Sequence, residues 1–162
     1  CFPDCDMLPV GHISIRGCEH GLSDRWTRLS KAEQRTMLTL WNIFRSPLMI
    51  GCELTDMDEW TKALLTNEEV LSLLKTSRNA HQVIRQGDMI VWQAEDEEGN
   101  VFLAVFNTTN WSETFAIDFR ALDLTGSYKL RDLWEQKELG EVEGKLIVGV
   151  DSHDAKLYKL SK

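Results

Sequence analysis

Four cysteines and two nearby histidines are the first residues in the chain whose types could do chemistry together. They are Cys1, Cys5, Cys18 and Cys52, with His12 and His20 among them. Zinc ribbons need two close pairs of ligands, and no second close pair follows Cys1 and Cys5. The sequence therefore predicts free thiols in a reducing compartment, with no metal site, no cofactor and no disulfide that the spacing requires.

An acidic run at residues 95–100 is the second candidate for chemistry. A calcium loop needs alternating oxygen ligands over about a dozen residues, and this run does not supply them. Gly99 and Asn100 close the run, and both are typical turn residues. We therefore expect a solvated hairpin turn at this position.

The charge and hydrophobicity of the chain exclude two classes of partner. The formal net charge is −8 over 162 residues, and no Lys/Arg cluster supplies the basic face that a phosphate backbone would need. The longest apolar runs are strand-sized, so no membrane span is expected. The first residues show no signal peptide, which favours a cytoplasmic protein. They also lack an initiator Met and begin inside a motif, which suggests a fragment.

The elements that must position any site fall into two halves with different periods. Residues 30–74 are helical in pattern, with predicted caps at Ser30 (a capping box with Glu33), Thr55 and Thr66. Between the helices, the short apolar run at residues 47–51 predicts a strand buried on both faces of a parallel sheet. Alternating helices and buried strands are typical of an α/β barrel or a doubly wound sheet.

Beyond about residue 78 the period changes to two. This pattern predicts an antiparallel sandwich with strands at residues 81–85, 89–94, 101–107, 114–119, 128–134, 137–142, 146–150 and 155–160. The boundary between the halves is expected near residues 75–80. Because the first half has too few strands to close a barrel, we expect that an upstream part is missing.

Several motifs follow one another in a specific order along nearly the whole chain. The first is Phe2-Pro3-Asp4-Cys5-Asp6-Met7-Leu8-Pro9-Val10-Gly11, and others lie at residues 29–36, 40–43, 46–51, 64–71, 132–134 and 153–160. In this order they resemble glycoside hydrolase family 27, the α-galactosidases and α-N-acetylgalactosaminidases, whose first motif is W-x-D-x-D-M-L…G. Phe2 stands where the family usually has Trp.

The resemblance implies a two-domain enzyme, α/β and then all-β. Residues 1–77 would be the last strands and helices of a (β/α)8 TIM barrel, and residues 78–162 a C-terminal antiparallel β-sandwich of Greek-key type. The implied reaction is retaining hydrolysis of terminal α-linked galactose or N-acetylgalactosamine by two aspartates. In the family both aspartates precede the W-x-D-x-D-M-L segment. This chain would therefore have no catalytic residue, would be inactive alone, and would need the missing N-terminal barrel portion.

The resemblance assigns substrate binding to Asp6 and Met7. The Asp6 carboxylate would accept hydrogen bonds from sugar hydroxyls while Met7 packs against the ring. Asp6 could instead be a buried structural acid that bridges barrel loops, and Asp4 is expected to be one. The loop at residues 10–29 would either shape the pocket rim or only cover the surface.

The remaining chemical candidates have simpler interpretations. Lys129 and Asp132 superficially match the family's K-x-D nucleophile motif, but they lie in the β half and predict a cross-strand charge pattern. Trp41, Trp60, Trp92 and Trp134 are expected in the core, and Trp111 is the candidate exposed aromatic. The glycosylation sequons at Asn107 and Asn110 are interpreted as turn chemistry.

Two other functional classes stay open. One is a non-catalytic carbohydrate-binding or structural β-sandwich module, although such a module has no need of three capped helices. The other is a structural partner for a barrel half that is encoded separately.

Overall fold

The computed structural model describes residues 3–162, so Cys1 and the expected aromatic at Phe2 lie outside the described residues. Three helices precede most of the strands: α1 Lys31–Ile43, α2 Glu59–Leu65 and α3 Glu68–Thr76. The strands are β1 Met7–Leu8, β2 His12–Ile13, β3 Arg25–Trp26, β4 Met49–Ile50, β5 Arg78–Gln86, β6 Met89–Glu95, β7 Val101–Asn107, β8 Glu113–Asp118, β9 Ser127–Asp132, β10 Lys137–Glu143, β11 Lys145–Val150 and β12 Ala155–Ser161. Within residues 3–162, no helix combines the length and apolar character needed to cross a membrane.

The start of α1 is the predicted capping box. Ser30 Oγ accepts from the Glu33 backbone N–H at 3.2 Å, and the Ser30 N–H donates to the Glu33 carboxylate at 2.7 Å. Each side chain thereby satisfies a backbone donor of the other residue. The pKa of Glu33 is lowered because the Ser30 N–H and hydroxyl bond to its carboxylate.

The predicted caps at Thr55 and Thr66 are wrong. Asp58 caps α2 by accepting from the Thr61 N–H at 2.6 Å, and Asn67 caps α3 by accepting from two backbone N–H groups. Asp and Asn are better N-caps than Thr, and each lies close to the Thr that we had expected. Thr66 is instead the C-cap of α2.

The predicted antiparallel strands are confirmed as β5 to β12. Six of them form one sheet in the order β10-β9-β12-β7-β6-β5, and β8 pairs with β11 in a second sheet. All of these pairs are antiparallel. The described chain is therefore mostly antiparallel β-sheet with few helices.

The six-stranded sheet is covered on both faces, and its strand β7 is buried along its whole length. Leu103 and Val105 lie in one apolar cluster with residues of the β8–β11 sheet, including Ile117 and Val148. The alternate residues of β7 lie in a second cluster with residues of the helices. This second set comprises Phe102, Ala104, Phe106, Ile43, Val70 and Leu73. The sheet is thus the middle of three layers.

The predicted buried strand at residues 47–51 differs from the structure. Only Met49–Ile50 forms a strand, paired in parallel with β1. Met49 is 61% and Ile50 44% exposed, so the expected burial on both faces is wrong for the described chain. A buried parallel strand has neighbouring strands at both edges and covering elements on both faces, and β1 is its only strand neighbour among residues 3–162. A closed barrel is not contained in this part of the chain, so the barrel assignment and the boundary at residue 77 stay predictions.

Polar contacts join the helices to the sheet. Arg35 on α1 donates two hydrogen bonds to Asp154, from Nε to Oδ1 at 2.8 Å and from Nη2 to Oδ2 at 2.7 Å. Asp154 precedes β12 and is only 1% exposed. The Trp134 indole N–H donates to Thr39 Oγ1 at 2.8 Å. These bonds fix the orientation of α1 on the sheet.

Candidate functional site

The candidate binding residues Asp6 and Met7 lie where the chain enters β1. The Asp6 N–H donates to Asp4 Oδ1 at 3.0 Å, and Asp6 Oδ1 accepts from the Met7 N–H at 2.7 Å. Asp6 has a left-handed φ of 66°, which Asp tolerates better than most residues because its short side chain bonds locally. Both residues are exposed, so Asp6 is not a buried acid within the described chain.

The surroundings of Asp6 define what it can do. It precedes the two-residue strand, and its Oδ2 has no hydrogen bond to any residue in 3–162. One carboxylate oxygen is therefore held by the backbone while the other can accept from a ligand. Asp4 holds the Asp6 backbone by a local bond, but it is exposed, so it is not the expected buried acid within the described chain.

Leu8 and Gly51 anchor the β1–β4 pair. Leu8 is fully buried with Val10, Leu38 and Leu64. A Cβ on Gly51 would lie 3.0 Å from the Leu8 carbonyl oxygen, so any larger residue would crowd the close approach of the two strands. Met7 points away from Leu8, because successive side chains of a strand alternate.

A cluster around His12 was not predicted from the sequence. His12 Nδ1 lies 2.6 Å from Asp56 Oδ2, and Nε2 bonds to Asp24. The ring stacks on Trp26 with centroids 5.2 Å apart and an interplanar angle of 13°. The pKa of His12 is raised, first by the bond to Asp56 and then by the bond to Asp24.

The His12 cluster is a clamp and not a general base. Both ring nitrogens face carboxylates, which favours the doubly protonated imidazolium form and raises the pKa of His12. The clamp ties the segment that contains Asp24 to Asp56, beyond β4. Residues 12, 24 and 56 are too far apart in sequence for any spacing to have indicated this arrangement.

No metal centre is apparent in the part of the chain that the structure describes. No group of three or more His, Cys, Asp or Glu side chains there could hold an ion. Cys5, Cys18 and Cys52 are free thiols. The two carboxylates bonded to His12 lie on opposite sides of its ring and so do not converge on one point.

The acidic run forms the predicted turn, but one of its side chains is not solvated. Asp96 is 7% exposed, and its Oδ1 accepts from the N–H groups of Glu98 and Asn100. Burial opposes ionisation of Asp96, but the bonds from Asn100 and the nearby Lys159 lower its pKa overall. The carboxylate therefore organises the turn.

Lys129 and Asp132 do not form a nucleophile site. Asp132 is 4% exposed and accepts from the N–H groups of Trp134 and Glu135, which fixes the turn after β9. The cross-strand charge pattern is present at Arg131, which pairs with Glu138 on β10 in both register and ion pair.

The tryptophans divide as predicted, with one correction. Trp41, Trp60, Trp92 and Trp134 are partly buried against the apolar clusters. Trp111 is 59% exposed, but it is not the single exposed tryptophan, because Trp26 is 45% exposed beside His12.

Comparisons with known proteins agree with the motifs. Residues 86–160 match the family described as the α-galactosidase C-terminal β-sandwich domain. The α-galactosidase of Coffea arabica is 30% identical over 160 residues, which are 96% of this chain and 39% of that enzyme. The chain thus spans well under half of the length of that relative.

Two solved structures superpose closely on the chain. A β-L-arabinopyranosidase of glycoside hydrolase family 27 from Geobacillus stearothermophilus has a TM-score of 0.94 and 48% identity, covering 99% of this chain and 37% of its own. A candidate α-N-acetylgalactosaminidase from Bacillus halodurans has a TM-score of 0.93 and 37% identity, covering 99% and 39%.

Proposed function

Since this chain belongs to glycoside hydrolase family 27 and corresponds to the C-terminal portion of its members, we propose that it is part of a retaining exo-α-glycosidase. The enzyme would release terminal α-galactosyl or α-N-acetylgalactosaminyl residues. Residues 1–77 would form the last part of the (β/α)8 barrel, and residues 78–162 the Greek-key β-sandwich. The two catalytic aspartates would come from the barrel portion that precedes this chain.

The open β1–β4 pair is the observation that carries the proposal. Met7, Met49 and Ile50 are 54%, 61% and 44% exposed on this short parallel sheet. Parallel strands occur almost only where both faces are covered, and exposed apolar patches mark surfaces that another element covers. Further barrel strands with their helices would cover this patch and place Asp6 in a pocket.

Asp6 and Met7 would bind the sugar in that pocket. The free Oδ2 of Asp6 would accept a hydrogen bond from a sugar hydroxyl, and the exposed Met7 side chain would contact the ring. The backbone bonds of Asp6 hold its carboxylate in one orientation before the substrate arrives, which lowers the entropic cost of binding.

A β-L-arabinopyranoside is the second candidate substrate. The 48% identity to the Geobacillus enzyme exceeds the 30% identity to the coffee α-galactosidase. L-Arabinopyranose has the ring-hydroxyl configuration of galactose and lacks the exocyclic hydroxymethyl group. A pocket that holds the ring hydroxyls therefore suits both sugars, and discrimination would fall to the residues around the hydroxymethyl position.

Hydrolysis of aryl glycosides tests the proposal. The complete polypeptide that contains this chain should hydrolyse the 4-nitrophenyl glycoside of α-galactose, α-N-acetylgalactosamine or β-L-arabinopyranose, with retention of anomeric configuration by NMR. The 162-residue chain alone should hydrolyse none. Turnover that follows the isolated chain through purification would refute the assignment of the catalytic pair to the preceding portion. Inversion, or inactivity of the complete polypeptide on all three, would refute the proposed activity.

A further inference from the structure

An exposed tryptophan on the β half is held in a fixed position. The Trp111 backbone carbonyl accepts from the side chains of Asn107, at 2.8 Å, and Thr109, at 2.7 Å. Its indole N–H donates to the Glu113 carboxylate at 2.5 Å. Asn107 is 1% exposed and also bonds to the carbonyls of Val150 and Asp151, so the anchor belongs to the sheet. The backbone of Trp111 is therefore fixed, and its indole is exposed to solvent with its N–H bonded to Glu113.

Trp111 lines a cleft of about 370 Å³ between the β5–β6 turn, the β7–β8 loop and β8. This volume lies within the range of about 300–1,000 Å³ that is typical of small-molecule sites. Its other lining side chains include Gln86, Asp88, Glu113, Thr114 and Phe115. The cleft therefore combines an aromatic face with carboxylate, amide and hydroxyl groups.

The charge of the cleft decides between ligand classes. The described residues that line it include two carboxylates and no Lys, Arg or His, so phosphate and other anions are disfavoured. Organic cations are bound by cages of several aromatic faces, whereas Trp111 is the one strongly exposed ring here. A pyranose fits the lining well, because its C–H face stacks on one indole while its hydroxyls donate to carboxylates.

We propose that this cleft is a non-catalytic binding site for a neutral pyranose unit of a saccharide. The site uses residues of the β half and none of the residues assigned to the barrel. It would hold a glycan chain on the enzyme's surface by a unit other than the one being cleaved. The inference does not depend on hydrolysis, so it can stand or fall separately from the proposed function.

NMR titration of the 162-residue chain with methyl α-D-galactopyranoside tests the site. The indole N–H resonance of Trp111 is identified by its loss in Trp111→Phe, and we expect it to shift together with backbone resonances of the β7–β8 loop and β8. Trp111→Ala should weaken binding about tenfold or more, since a tryptophan at the centre of a contact usually dominates its affinity. Trp111→Phe keeps a ring and should weaken it less.

The matched control is Leu139→Ala on β10, which removes another exposed apolar side chain (46% exposed) on a strand that does not line the cleft. It should leave binding unchanged. Asp88→Asn is a second variant in case Trp111→Ala does not fold, and it should also weaken binding. Tetramethylammonium and inorganic phosphate are the competing probes. The proposal is overturned if the sugar produces no shifts, if shifts appear only near Asp6, if Trp111→Ala and Asp88→Asn both bind normally, or if either competing probe binds more tightly.

Discussion

Replacement of Asp154 by Asn should destabilise the protein strongly, because it leaves the Arg35 guanidinium without its buried counter-charge. The Asp154 side chain is 2% exposed and that of Arg35 is 20% exposed. Asn keeps the size of the side chain and an oxygen that can accept the Ala155 N–H, which now bonds to Oδ1 at 2.8 Å. The substitution therefore removes the charge and replaces the oxygen that accepts from Arg35 Nη2 by an NH2 group, which cannot accept.

The magnitude follows from the geometry of this pair. Breaking a buried ion pair by removing one partner costs about 3–5 kcal/mol. Arg35 keeps some contact with water, and Glu135 lies 4.0 Å from its Nη1, so part of the loss is compensated. We therefore expect Asp154→Asn to lower the free energy of unfolding by about 2–3 kcal/mol, at or just below the lower end of that range. For a chain of this length that corresponds to a fall in Tm of about 5–10 °C.

Urea unfolding and thermal unfolding at neutral pH, both followed by circular dichroism, measure the change in the free energy of unfolding and in Tm. Asp118→Asn is the matched control, because Asp118 also bonds to an arginine, Arg120, with its shortest contact at 2.6 Å but at an exposed position. Its effect on Tm should be much smaller, since exposed ion pairs contribute little. The reasoning would be wrong if both substitutions lowered Tm equally. It would also be wrong if Arg35→Met and Asp154→Asn were additive in a double-mutant cycle, which would mean that the two side chains are not coupled.

Three further predictions concern the proposed sugar-binding residue Asp6, the His12 clamp and the first helix. If the proposed function holds, Asp6→Asn in the complete polypeptide should lower kcat/KM by roughly one to two orders of magnitude with little change in Tm, because charge-assisted hydrogen bonds to the sugar would weaken. Asp123→Asn is the control, an exposed aspartate with a similar left-handed φ of 55°, and an unchanged kcat/KM for Asp6→Asn would remove Asp6 from the site. The His12 ring should titrate above pH 6.5 by NMR. Because the pKa of His12 is raised in the folded state, the stability it contributes is complete below about pH 6.5 and is lost as the pH rises through the folded pKa. Asp24→Asn should lower the titration midpoint of the ring. A midpoint at or below pH 6.5 in the unaltered protein would contradict the clamp. Ser30→Ala should cost about 1 kcal/mol in urea unfolding by removing one half of the capping box, and no measurable loss would show that α1 is held by packing alone.

The strands of the β half were predicted well, because the two-residue period and the turn residues between strands are local features of the sequence. Residues 101–107 are apolar almost throughout, and the structure buries them on both sides. The helix starts were less certain, since Thr55 and Asp58, or Thr66 and Asn67, are both capable of capping. The backbone conformation determines which of two such neighbouring residues is the N-cap.

Long-range arrangements could not be predicted in the same way. The His12 clamp depends on a hairpin of two-residue strands and on a residue beyond β4. The exposure of Met49 and Ile50 depends on which strands surround them, and a local apolar run does not contain that information. The resemblance supplied Asp6 and Met7, whose sugar-binding role stays a proposal.

The apolar layer between the helices and the six-stranded sheet limits how the chain can be divided or recombined. Although the sequence period changes near residue 77, a polypeptide beginning at Arg78 would present Phe102 and Phe106, now 3% and 4% exposed, to water. Grafting this sandwich onto the preceding portion of a relative would therefore require α1 and α3 to move with it, or a replacement surface of matching shape. The unit that can be exchanged between relatives is set by this shared layer and not by the change in sequence pattern.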